Sequence, residues 1–555
     1  MLSRWRQYRP EWLRPDTIAG LTVWAVLVPE CLAYATIAGV PPVIGLYAAA
    51  PALVLYAIFG SSRHLVVGPM AATAALSASV VAVYAGPGER FVAMTTALAL
   101  VVGVLALIAG LARLGFLASF ISEPVLKGFI VGLALTIIAG QLPKLFGVPK
   151  GEGNFFAQLW HFLTHLGQTN PWTLAIGAVC LAVVIGLKEL KPVVPGSLVA
   201  VALGILAVAV LHLDRRGVAI VGHIDPGLPA LGLPGIAAAD WLKLVGPAVG
   251  VALIGFAEGL GAAKTYAARF GYTVDANREL IGLGTANMGA GLASGMVVNG
   301  SLSKTAVNAG AGARSQLSGL VVAVLTVVTL LFLTGLFEQL PEAALAAVVI
   351  AALVELVDIR GLRRLWRVST APRGTPASLI TRPDFVAAIA ALLGVLVFDT
   401  LPGLVIGMAV SLVLLLYRAS RPIVAMLGRT GDGRWVDRSR HDDARPAPGV
   451  VVLRPEGAVF FANADHVRDR VRAAAAAPGT RAVVLDGESV PLVDVTAATT
   501  LSDLVDDLRG QGVELYVAHD LGQVRDILRR AGVTLPHVYA TIDDAVRAAT
   551  STPAP

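Results

Sequence analysis

The chain has 555 residues, of which 56% are hydrophobic and only 14% charged, with a mean hydropathy of +0.74. Soluble domains average about 45–50% apolar and about 25% charged residues, so this composition argues against an ordinary soluble enzyme and for a membrane protein. The net charge of +6 comes from Lys and Arg at the ends of apolar runs, not on a solvated face, which argues against nucleic acid; Cys31 and Cys180 lie inside apolar runs and supply neither a disulfide framework nor a zinc motif.

Residues 1–16, with Arg4, Arg6, Arg9 and Arg14, read as a cytoplasmic lead-in rather than a signal peptide, because further spanning runs follow. About fourteen segments then reach the length that a hydrocarbon core of roughly 30 Å demands, or nearly so. They are 17–37, 42–59, 69–84, 91–111, 116–139, 172–190, 193–212, 244–265, 278–295, 301–312, 315–335, 342–358, 383–398 and 401–418. The two that start near Pro69 and Ser301 are short. Arg63, Arg113, Lys188, Lys191, Lys264, Arg269, Arg314, Arg360, Arg363, Arg364, Arg367 and Arg373 all fall on the side of the N-terminus. That side is expected to be the cytoplasm, which places both termini there and the protein in the inner membrane.

The spans repeat. Glu30 lies deep in the first and Glu258 deep in the eighth, 228 positions apart (258 − 30). The short third span opens at Gly68 and the short tenth at Gly300, 232 apart (300 − 68). A unit of seven spans is odd, so a second copy enters from the opposite side. Repeat one (about 17–212) and repeat two (about 244–420) therefore form an inverted repeat, as in many secondary transporters.

Two carboxyls in mid-membrane are expensive unless they face a cavity or a partner, so Glu30 and Glu258 are candidate ion-coupling residues; the alternative is a pair of neutral structural acids. A helix that begins inside the membrane aims unpaired N–H groups and positive dipole charge at whatever lies ahead of it. Two such ends form an anion site. Gly68 and Gly300 allow close backbone approach, Pro69 suits an early helical position, Ser301 and Ser303 offer hydroxyls, and Lys304 adds a cation. Ordinary packing of small residues is the competing account. Tyr34, one turn after Glu30, either lines the site or fills the core. The HFLTH segment (His161, His165) lacks the acid of a metalloprotease motif, and the chain has no GxSxG elbow. No enzyme site and no metal site are expected.

Residues 421–447 read as a polar linker, 448–550 as a soluble α/β domain and 551–555 as a disordered tail. Strand-like runs are 450–454, 458–462, 482–486 and 513–518, with helical periodicity near 463–476, 497–510 and 521–531.

Four stretches together resemble the sulfate-permease (SulP) family, whose eukaryotic members are the solute-carrier 26 proteins. They are VPECLAYA (28–35), FISEPVLKGFIVGLAL (120–135), the run from FAEGLGAAKTYA (256–267) through Leu280, and GSLSKTAVNAGAGARSQLSG (300–319). The resemblance implies an α-helical polytopic fold of fourteen segments as seven plus seven, split into core and gate domains, with elevator-like movement and a homodimer. It implies an anion between the third and tenth helix N-termini, with Glu30, Tyr34, Met70, Ala71, Glu258, Ser301, Leu302, Ser303 and Lys304 at or near it. Many family members carry glutamine where Glu30 stands, so an acid there favours proton coupling. VPLVDVTAATTL (490–501) resembles the STAS domain that follows such transporters. Thr496 holds the position phosphorylated in related anti-sigma-factor antagonists; here DVTAA replaces DSSG, and the alternative role for Thr496 is to cap the next helix.

The expected function is a secondary active transporter of bicarbonate, sulfate or a C4-dicarboxylate such as fumarate. It needs no organic cofactor and uses H⁺, or Na⁺ at Glu258, as coupling ion. A cytoplasmic partner of the STAS domain fits the same reading. Alternatives are a Na⁺-coupled symporter, an anion exchanger, an anion channel, a nucleobase:proton symporter and a membrane-tethered anion sensor.

Overall fold

The computed structural model describes residues 8–116, 122–190, 194–224, 226–354, 356–368, 382–519, 522–533, 535 and 537–551. Most of the basic lead-in, Phe120, Ile121, Lys191, Arg373 and the tail beyond Ser551 lie outside them. The chain divides into two units, Met1–Ser411 and Leu412–Pro555.

In the first unit, α1 (Leu13–Ile37), α2 (Val43–Phe59), strand β1 (Val66–Gly68), α3 (Ala71–Ala82), α4 (Glu89–Leu111), α5 (Glu123–Phe146), α6 (Phe155–Thr164), α7 (Pro171–Leu190) and α8 (Gly196–Leu211) form the first half. The second half holds α9 (Ala238–Arg269), α10 (Ala276–Leu292), strand β2 (Asn299–Ser301), α11 (Leu302–Gly310), α12 (Leu317–Val328), α13 (Glu342–Val354), α14 (Ile359–Arg367), α15 (Pro383–Phe398) and α16 (Thr400–Ala419), the last crossing the unit boundary. Each expected span has its helix among the described residues; α6 and α14 are additional. Helices α1, α4, α5, α7, α9, α12 with its continuation to Phe337, and α16 are long and apolar enough to cross a membrane by length and composition alone.

One span is displaced. The fifth was expected over 116–139, but α5 runs from Glu123, with Pro124 in its first turn, to Phe146. Gly147, at φ +69°, closes it in the left-handed conformation that favours glycine. The polar Gln141 and Lys144, with Pro143 between them, sit inside its last turns, and Lys144 is paired with Glu342 at 3.1 Å.

Packing sorts the helices. α1, α2, α4, α9, α10 and α12 pack on one another and enclose α3 and α11, whereas α5, α7, α8, α13 and α15 form a second group. These are the core and gate of the expected fold, meeting where α1 touches α8 and α13.

Two buried acids hold core loops in place. Glu279, fully buried at the start of α10, accepts from the Tyr56 hydroxyl (2.7 Å), Ser61 N (2.6 Å), Ser61 Oγ (2.6 Å) and Ser62 N (3.0 Å). It fixes the loop that leads into β1. Asp16 accepts from Arg314 N (2.6 Å), Ser315 N (3.1 Å) and Ser315 Oγ (2.5 Å), fixing the loop that leaves α11.

The second unit contains a six-stranded sheet in the order β4-β3-β5-β6-β7-β8, with β3 (Val424–Arg429), β4 (Trp435–Asp437), β5 (Val450–Pro455), β6 (Ala482–Asp486), β7 (Glu514–Ala518) and β8 (Val538–Tyr539). β5 to β8 are parallel; β3 is antiparallel to both its neighbours. Helices α17 (Ala464–Ala475), α18 (Val495–Gly510) and α19 (Gly522–Arg530) share one apolar core with the sheet face of Val483 and Leu485. The unforeseen α20 (Ile542–Ser551) covers Val452, Val484 and Tyr516 on the other face.

Three expectations are corrected here. Residues 421–447 are not a linker: Val424, Ala425 and Leu427 are buried in β3, and the polar Thr430–Arg434 stretch, with Gly433 at φ +87°, is the hairpin turn to β4. Residues 458–462 are not a strand: Asn463 accepts from Phe460 N (2.9 Å) and donates to Ala458 O (3.0 Å), folding them into a turn with only a Val459–Val493 bridge. Ser551 ends α20 rather than opening a tail.

Glu279→Ala strands four donors in a buried loop, at about 1–3 kcal/mol for each unpaired group. It is expected to lower the thermal midpoint of the detergent-solubilised protein sharply, with Glu279→Gln intermediate; unchanged midpoints in both would remove the anchoring role.

Candidate functional site

The site is built on two three-residue strands. β1 and β2 pair antiparallel, Val66 with Ser301, Val67 with Gly300 and Gly68 with Asn299. Val67 and Gly300 are 233 positions apart (300 − 67), and on that offset Val66 corresponds to Asn299 and Gly68 to Ser301. The observed register pairs each strand with its own repeat counterpart turned end for end, so a pseudo-twofold axis passes through the Val67–Gly300 pair. α11 starts directly after β2 and α3 two residues after β1; they are 9 and 12 residues long, and the buried Ala71 and Ser301 place both starts within the protein interior.

The backbone needs small residues on one side only. A Cβ at Gly300 would lie 2.8 Å from the Leu65 side chain and 3.0 Å from Gly259 Cα, whereas one at Gly68 would make ordinary contact with Leu27 at 3.7 Å. The tie is reinforced by side chains. Thr305 Oγ1 accepts from Val66 N at 3.0 Å, Asn308 Nδ2 donates to His64 O at 2.9 Å, and Asn287 brackets Val298 by donating to its carbonyl (2.9 Å) and accepting from its N–H (3.0 Å).

The two helix ends differ. Ser301 caps α11, its Oγ accepting from Lys304 N at 3.2 Å and sharing a hydrogen bond with Ser303 Oγ at 3.1 Å. Met70 stands at the N-cap of α3 and supplies no side-chain cap, so the amides of Ala71, Ala72 and Thr73 keep their donor capacity. Pro69 lies before the N-cap rather than inside the helix, and its carbonyl accepts from Lys304 Nζ at 3.0 Å.

Lys304 is 1% exposed, and its ammonium is shared three ways. Besides Pro69 O, it sits 2.8 Å from Glu30 Oε2 and 4.9 Å from the centre of the Tyr34 ring. Tyr34 thus faces the site. By the same offset Lys304 corresponds to Ala71, so one repeat alone supplies the cation. Glu258, half-buried on α9, accepts from Asn299 Nδ2 at 3.4 Å, which attaches the second acid to the strand pair. Leu302 is 51% exposed at the start of α11. A cavity of about 720 Å³ is lined by Glu30 and Ser303 at one end and by Lys188 and Glu189 at the end of α7. It lies between α1 and α11 of the core and α7, α8 and α13 of the gate.

All nine expected membrane-site residues therefore lie around one strand pair. Asn299 and the Pro69 carbonyl were missed. A polar residue that opens the NGS segment after an apolar stretch was the available signal for Asn299; a backbone acceptor leaves none. In the second unit, Asp494, not Thr496, caps α18, accepting from Ala497 N at 2.8 Å. Thr496 is exposed in the first turn, so the capping role expected for it is corrected.

With a cation and a buried acid 2.8 Å apart, removing one partner strands the other. Lys304→Met is expected to destabilise the protein by roughly 3–5 kcal/mol, and the Glu30→Gln/Lys304→Met double variant to recover most of that, since neither charge remains. Thermal midpoints of the four proteins check it; purely additive losses would mean that the pair is not energetically coupled.

The sulfate permease family model matches residues 13–373, and the STAS domain model residues 443–545. A "probable sulfate transporter" of Mycobacterium tuberculosis is 37% identical over 98% of this chain and 97% of its own length. "Probable sulfate transporter 4.2" of Arabidopsis thaliana is 32% identical over 96% of this chain and 79% of its own. The murine Solute Carrier 26 family member A9 anion transporter, solved in the inward-facing state, shares the fold with a TM-score of 0.89 at 24% identity, covering 99% of this chain and 94% of that one. The transmembrane domain of the cyanobacterium bicarbonate transporter BicA superposes with a TM-score of 0.62 at 23% identity over 72% of this chain and 98% of that one. On the match of its membrane unit and of its C-terminal domain alike, the chain belongs to the sulfate permease family of anion transporters, with a STAS domain after the membrane unit.

Proposed function

We propose that this protein is a secondary active transporter that carries a small oxyanion across the inner membrane together with a proton. Sulfate is the first candidate, because the relatives above are named sulfate transporters; bicarbonate and a C4-dicarboxylate such as fumarate are the others. The observation that carries the reading is the Lys304–Glu30 pair at the paired helix ends.

Each helix N-terminus contributes about half a positive charge, and Lys304 adds a full one. Glu30 offsets the lysine. An arriving dianion competes with that carboxylate for the same ammonium and amides. Protonation of Glu30 removes the competitor and leaves Lys304 and the amides of α3 to the substrate, so lower pH favours loading. Proton and anion then move together because each improves binding of the other. Glu258, held by Asn299, is a second proton or Na⁺ carrier.

The cavity that reaches Glu30 and Ser303 extends to Lys188. Under the positive-inside rule that is the cytoplasmic side, so this conformation is inward-facing and both termini are cytoplasmic. Alternating access follows from sliding the core past the gate, carrying both helix ends with it.

Uptake of radiolabelled sulfate, bicarbonate and fumarate into proteoliposomes, with imposed proton and sodium gradients, tests the function. Wild type is expected to accumulate one of these anions on an inward proton gradient, and Glu30→Gln to lose most of the pH dependence while keeping downhill flux. Full pH dependence in Glu30→Gln would rule out Glu30 as the proton carrier, and binding without flux would leave a sensor.

A further inference from the structure

The nine-residue α14, between α13 and α15, has no part in the anion site. At about 100° per residue, Arg360, Arg363, Arg364 and Arg367 fall within an arc of roughly 100°, while Ile359, Leu362, Leu365 and Trp366 occupy the opposite side. All four arginines are exposed, and among the described residues none has an ionic or hydrogen-bonding partner. Asp358, the acid next to them, is used as the helix N-cap, its Oδ1 accepting from Gly361 N at 2.7 Å.

The apolar side is anchored. α14 packs on α5 and α15, and the Trp366 ring meets Phe385 edge-on at 4.9 Å. The Arg382 guanidinium stacks over Trp366 at 4.1 Å. Ile359 and Trp366 nonetheless remain 68% and 42% exposed. Both chain neighbours are membrane helices, one ending at Val354 and the other starting at Pro383, so α14 lies at a membrane face. A short helix there with a basic side, half-exposed apolar residues and a tryptophan has the build of an interfacial element.

We propose that α14 is a binding site for anionic phospholipid headgroups on the membrane face where α13 ends and α15 begins. The guanidinium groups take the phosphate oxygens through paired N–H donors, and Ile359 and Trp366 enter the acyl boundary. Because α13 and α15 belong to the gate, lipid bound there holds the gate, not the moving core, at a fixed depth.

The test uses the full-length protein in phosphatidylcholine nanodiscs, into which phosphatidylglycerol is titrated and counted by native mass spectrometry. Replacing all four arginines (R360Q, R363Q, R364Q and R367Q together) is expected to weaken phosphatidylglycerol binding roughly tenfold, and the matching lysine replacements only about twofold, at an unchanged thermal midpoint in phosphatidylcholine alone. For wild type alone, raising the salt concentration is expected to weaken binding. Equal affinity in the glutamine variant, or wild-type binding indifferent to salt, would overturn the proposal. Loss of polyglutamate binding in that variant with phosphatidylglycerol unaffected would also overturn it, by assigning the arginines to an acidic protein.

Discussion

The structure of the membrane unit depends on one constraint: two helices that begin in the protein interior have first-turn amides that need partners. Backbone donors buried without partners cost about 1–3 kcal/mol each, and in an apolar surround nothing but protein or ligand can satisfy them. The antiparallel pairing of residues 66–68 with 299–301 satisfies the strands and brings the two helix starts together. Much of the core serves that arrangement. Thr305, Asn308 and Asn287 spend their polar atoms on the adjacent backbone. Glu279 and Asp16 fix the loops on either side. Gly300 exists because Leu65 and Gly259 leave no room for a side chain.

Symmetry of the scaffold is broken by charge. The strand register is that of a dyad, yet the position that corresponds to Lys304 is Ala71, and the carboxylate partner of the cation comes from the first repeat. A lysine alone between two positive helix ends would be an uncompensated buried charge. Glu30 compensates that charge, and in the proposed mechanism the same contact links anion and proton occupancy. Under the proposed function, structure and coupling come from one ion pair.

Much of this was legible in the sequence, because apolar span length, mid-membrane acids and the short third and tenth spans are local signals. The 228 and 232 offsets pointed to two matching helix ends; the strands that precede them pair in a register centred on Val67 and Gly300, 233 apart. What was not legible came from tertiary partners. Lys304 was expected to add a cation at the site; nothing in its neighbourhood along the chain says that Glu30, more than two hundred residues earlier, would hold it. Glu279 reads as an ordinary first-turn acid until Tyr56 and Ser61 are folded onto it. In the second unit, β3 and β4 were hidden by a polar hairpin turn whose composition imitates a linker, and Thr496 was credited with a cap that Asp494, two residues before it, provides.

The claim at the centre is that an anion takes Lys304 from Glu30, and that Glu30 is protonated as it does so. Titration calorimetry of the transported anion in buffers of different ionisation enthalpy reads proton linkage directly. The account requires uptake of about one proton per anion bound near neutral pH in wild type and close to none in Glu30→Gln. Anion binding to wild type with no proton linked to it, or with the same linkage in the glutamine variant, would contradict it.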